Sequence, residues 1–101
     1  MDEEAKLRLT VRRGEEALAL LENELFKQAF RAVEEEILNK ARSCEPQDRD
    51  VFYRELAALK TVNDKITKYA QSGNHAKKSL LQKLQETVNG SARKEQHRNL
   101  R

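Results

Sequence analysis

Two apolar stripes at helical spacing flank the chain's only proline. Phe26, Phe30, Val33 and Ile37 form the first; Phe52, Leu56, Leu59, Val62, Ile66 and Tyr69 form the second. Steps of three and four put such residues on one face of a helix, and a helix with one apolar face must bury it against something. Between the stripes lies Ser43-Cys44-Glu45-Pro46-Gln47-Asp48. Proline has no N–H to donate and forces the residue before it out of the helical region, so the chain turns there. The spacing predicts an antiparallel hairpin of long helices over residues 25–69, with the rest of the chain attached to it.

The remaining elements follow from local signals. A first helix is predicted over 14–22, opening with Glu15 and Glu16 at the positive end of its dipole and carrying Ala17, Leu18, Leu20 and Leu21. Asn23 is a capping residue and marks a kink or short turn before a second helix over 24–43. The third helix is predicted over 47–72, with Gly73 as its stop. Asn74 then caps a fourth, over 75–89, with Ala76, Leu80, Leu81, Leu84 and Val88 as its stripe and Gly90 as its end. In residues 1–11, Leu7, Leu9 and Val11 alternate as a strand would, but Glu3, Glu4, Ala5 and Lys6 favour helix, so a helical or frayed lead-in is expected; 91–101 are expected to be a flexible basic tail. The expected class is all-α: a small bundle in one domain over residues 1–90.

Composition limits the core. The chain has 101 residues, 38% hydrophobic and 37% charged, so the apolar set is lean. A short chain with long charged helices commonly buries its leftover apolar surface against a second copy or a partner. A homo-oligomer or a larger protein partner is therefore expected, with Glu34, Glu35, Glu36, Tyr53, Leu80, Leu81 and Leu84 as the candidate interface.

Charge is unevenly spread. The net charge is +3, but residues 74–101 hold seven bases against two acids. Lys77, Lys78, Lys83, Arg93, Lys94, Arg98 and Arg101 are thus candidates for contact with nucleic-acid phosphates. Solubilisation is the plainer role for such a segment.

Catalytic and cofactor chemistry is not expected. There is no glycine-rich phosphate loop and no Cys-x-x-Cys, and His75 and His97 are too far apart in sequence to share a metal on one helix face. The lone Cys44 excludes an intrachain disulfide and, followed by acidic Glu45, makes no nucleophile site. Tyr53 and Tyr69 stand beside Arg54 and Lys68, a pairing that can stack on nucleobases but more commonly edges a core. No catalytic, cofactor-binding or metal-ligating residue and no small-molecule substrate are assigned. The acidic start has no signal-peptide character, and no apolar run approaches the roughly 20 residues of a membrane span. An intracellular, non-secreted protein is expected.

The run Arg13-Gly14-Glu15-x-Ala17-x-x-Leu20-Leu21-Glu22-Asn23-x-Leu25-x-x-x-Ala29-Phe30 resembles small helical proteins encoded by tailed phages. The Asp48 turn and the Gly73-x-x-Ala76-x-x-x-Leu80 segment extend the likeness over residues 12–84. Glu24 departs from it, standing where those proteins commonly have proline. The resemblance implies a non-enzymatic accessory of the virion or of head assembly, acting in the host cytoplasm or in the particle. It assigns no site residues. A small packaging-terminase-like DNA binder and a small adaptor that masks a host protein are the alternatives.

Overall fold

The computed structural model of the chain describes the backbone of residues 2–99 and the side chains of residues 2–88. The protein is all-α. Helix α1 spans Glu3–Glu22, α2 spans Glu24–Ser43, a 3-10 turn covers Pro46–Asp48, and α3 spans Arg49–Asn99.

Each boundary has a local cause. The Asp2 carboxylate accepts from the Ala5 N–H at 2.6 Å and starts α1, with Glu3 and Glu4 in its first turn. Asn23 serves two helices. Its backbone N–H donates to the Leu20 carbonyl at 3.1 Å, closing α1, and its side-chain oxygen accepts from the Phe26 N–H at 2.9 Å, opening α2. Its own backbone is extended (φ −70°, ψ 123°), so the helices join with a bend and no loop. Lys40 and Arg42 lie in the last turn of α2, facing the negative end of its dipole. Glu45, before Pro46, is also extended.

Three boundaries differ from the sequence expectation. Helix α1 begins at Glu3 and runs through Gly14. The third and fourth predicted helices are one, because neither Gly73 nor Asn74 ends it. The expected tail is helical backbone as far as Asn99. A glycine stops a helix by taking a left-handed conformation, and no described glycine has positive φ. Over residues 91–99, Ala92, Arg93, Lys94, Glu95 and Gln96 are strong helix formers, which favours propagation.

Gly14 and Gly73 instead mark where two helices touch. A Cβ built on Gly14 would lie 2.5 Å from the Gly73 Cα and 3.0 Å from the Tyr69 carbonyl oxygen; one on Gly73 would lie 2.5 Å from the Gly14 Cα. The backbones are in direct contact, and only glycine at both positions permits that. Ala17 and Ala76, one turn away on each helix, are buried beside them. Helices α1 and α3 are antiparallel, since Glu3 reaches Lys83 while Gly14 meets Gly73. Helix α2 packs on the earlier part of α3, brought there by the turn at Pro46.

The inward face of α3 is one continuous stripe. Phe52, Leu56, Leu59, Asn63, Ile66, Ala70 and Gly73 are half-buried or buried at alternating steps of four and three. From α1, Leu7, Val11, Gly14, Ala17 and Leu21 face it; from α2, Phe26, Phe30, Ile37 and Ala41 do. Val33 and Val62, expected inside, are exposed at the edges. Thr10, Thr61, Thr67 and Thr87 donate to carbonyls four residues back, which accommodates their hydroxyls within the helices.

The result is a rod, not a compact bundle. It measures 85 × 25 × 23 Å with a radius of gyration of 23.1 Å, against about 13 Å for a compact domain of this length. The core is thin: among the described residues, the buried apolar side chains are Ala17, Ile37, Ala41 and Ala76.

Two stability tests follow. Gly14→Ala should lower stability by roughly 1–2 kcal/mol in urea unfolding, although alanine in an uncrowded helix adds about 1 kcal/mol. Phe30→Ala and Leu59→Ala, both half-buried, should each cost about 2 kcal/mol, the lower end of the range for core truncations. Leu25→Ala, at a residue 74% exposed, should stay within about 0.5 kcal/mol of the parent. A Gly14→Ala variant more stable than the parent contradicts the helix contact.

Candidate interaction surface

Among the described residues, exposed large apolar side chains occur along the whole rod, including Leu9 and Leu20 on α1, with two groups on α2 and α3. Leu25 and Val33 of α2 and Val51 and Val62 of α3 lie along the first half of the rod. Leu81, Leu84 and Val88 of α3 form the second set, 53%, 61% and 65% exposed, with Leu18 exposed on α1. Steps of three and four place Leu81, Leu84 and Val88 on one helix face. They lie off the face that meets α1, which at this level runs through Leu80 and Lys83, both half-buried; α1 begins at Glu3, which pairs with Lys83 at 3.5 Å. Past that level α3 continues to Asn99 with neither α1 nor α2 beside it.

The other candidate residues are spread along the rod. Glu34, Glu35 and Glu36 are exposed on α2. Glu34 also borders an open groove of about 460 Å³ between α2 and α3, lined by Phe30, Leu38, Leu56 and Lys60 among others. Tyr53 is exposed near the start of α3, and Leu80 is half-buried. The candidate interface set is thus split between the two ends of the rod. Among the candidate phosphate contacts, Lys77 and Lys78 are exposed and Lys83 is paired with Glu3. The side chains of Arg93, Lys94 and Arg98, and Arg101 altogether, lie outside the described residues.

Tyr69 has a role that sequence reading did not separate from core packing. The Arg13 guanidinium carbon and the Lys65 ammonium nitrogen each lie 5.4 Å from its ring centroid. A ring face attracts cations through its quadrupole, so Tyr69 ties α1 to α3 one turn from the glycine contact. Residue spacing does not signal it: in an antiparallel pair the residues preceding the two glycines diverge along the axis, and the long Arg13 side chain spans the gap to the ring.

Among the described residues, no group of three or more His, Cys, Asp and Glu side chains is placed to hold a metal ion, and no helix is long and apolar enough to cross a membrane. Cys44 is half-buried and its thiol donates to the Ala41 carbonyl at 3.3 Å. The two ion pairs found among the described residues, Lys27–Glu24 and Lys83–Glu3, are solvated and stabilise little.

Comparison with protein-family models, curated proteins and solved structures finds no match.

Tyr69→Leu should lower stability by about 1 kcal/mol relative to Tyr69→Phe, which keeps the ring, in parallel thermal unfolding. Equal stability of the two variants contradicts the cation–ring contact.

Proposed function

We propose that this protein works by protein–protein contact through uncovered helix faces, rather than by catalysis. One observation carries the reading. The chain exposes 8593 Å² of surface, whereas a compact folded monomer of this mass exposes about 5,900 Å². The exposed set includes eleven large apolar side chains, some aligned on single helix faces. Such faces mark interaction sites when they are contiguous. The function is then burial of these faces against another helix-bearing surface, with the hairpin of long helices as a rigid spacer.

The resemblance of residues 12–84 to small phage proteins supports a setting in the virion or in head assembly, within the host cytoplasm or the particle. In that setting the partner is a further copy or a virion component. Nucleic-acid binding is a second reading. It is favoured by the seven bases against two acids in residues 74–101 and by the exposure of Lys77 and Lys78. The adaptor reading has no observation of its own to support it.

The two readings separate by experiment. Light scattering on the full chain, together with binding to isolated virion proteins, should find a self-associated form or a saturable protein complex. A strict monomer that binds none of them contradicts the contact reading. Anisotropy with labelled duplex DNA at about 0.05 M salt should show no saturable binding; binding that falls steeply with added salt supports the second reading instead.

A further inference from the structure

We propose that the face made by Leu81, Leu84 and Val88 is covered by the same face of a second copy of this chain, packed antiparallel about a two-fold axis. The proposal rests on the contact reading above and names the partner and the place.

Three observations lead there. The first is the overhang. Helix α3 runs from the level of Lys83, where α1 begins, to Asn99, roughly 24 Å at the usual rise per residue. A helical stretch of about 16 residues is marginal in water by itself and takes most of its stability from packing of an apolar face. Leu84 and Val88 lie on the overhang and Leu81 just before it, exposed on a side of α3 that α1 does not cover.

The second is area. The surface beyond that of a compact monomer is roughly 2,700 Å² per chain. That is on the scale of what each subunit loses in the larger, obligate homodimers, whose interfaces bury about 2,000–5,000 Å² in total. A small peptide-sized partner would leave most of it uncovered, while a second rod overlapping on both sides of Leu84 covers about 45 Å of α3 in each copy.

The third is closure. A stripe on one helix meets itself under a two-fold axis, and the contact then closes at two copies. Antiparallel pairing lays each overhang along the body of the other rod. It places Leu84 near the axis, Leu81 toward the second copy's Val88, and opposes the helix dipoles. A parallel pairing would leave both overhangs projecting together beyond the bodies and would align the dipoles.

Charge supplies a distinguishing sign. Residues 74–101 are strongly basic, so two copies repel where these segments overlap. An apolar contact between like-charged segments tightens with salt, because screening weakens the repulsion. Attachment to an acidic protein or to nucleic acid weakens with salt.

Sedimentation equilibrium of the full chain at about 0.05 and 0.5 M salt tests this. The expected species has twice the 11.7 kDa chain mass, and its dissociation constant falls as salt rises. Leu84→Glu should weaken association about 100-fold or more, because it buries an unpaired charge at the axis. Leu25→Glu, on the other half of the rod, should leave the mass distribution unchanged. Circular dichroism on both variants checks that α1–α3 packing survives. A dimer that resists Leu84→Glu but is lost in Leu25→Glu overturns the assigned face while leaving the contact reading intact. A monomer at every concentration overturns the proposal, and binding to a virion protein would then decide the contact reading separately. A dimer that weakens with salt overturns the like-charged pairing and hence the antiparallel overlap.

Discussion

Everything in this molecule depends on two backbones touching at Gly14 and Gly73. The contact fixes the register of α1 on α3, and from that register the rest follows. Tyr69 comes under Arg13, Lys83 comes to Glu3, and the start of α1 sets the point beyond which α3 has no cover. The glycines cost helix propensity, roughly 1 kcal/mol each relative to alanine. Close approach offsets that cost through backbone packing that no residue with a Cβ would allow.

The same contact explains the shape. Because Gly73 is held inside a helix by α1, α3 does not stop there and fold back into a bundle. It continues as a spine of 51 residues, with α1 and α2 laid end to end along part of it. Two helices against one leave apolar edges on both sides. The buried residues are mostly small, so the core is narrow and its stabilisation modest. A chain built this way has surface in excess of what its own fold can cover.

Some of this was legible from residues alone, for local reasons. The bounds of α2 follow from Asn23 and Pro46, whose effects are on their own backbone and need no distant partner. The helical class follows from three- and four-residue spacing. Gly14 and Gly73 misled because a helical glycine has two meanings, a stop or a close approach, and only the element crossing it decides. Val33 and Val62 belong to apolar stripes, but which edge of a wide stripe faces the neighbour depends on the crossing geometry. Leu81 and Leu84 could be singled out as apolar positions on a helix. That they stay uncovered depends on which side of α3 meets α1, and that is set by the crossing at the glycines and a helix start at Glu3, which the alternating Leu7, Leu9 and Val11 obscured.

The central claim is that the uncovered part of α3 is held by a second molecule. Amide hydrogen exchange along α3 measures this most directly, since the overhang has no intramolecular cover from α1 or α2. At high protein concentration, residues 84–99 should show protection comparable with residues 60–80, and that protection should fall on dilution through the dissociation range. Exchange of residues 84–99 at the rate of an unfolded chain at every concentration would contradict it.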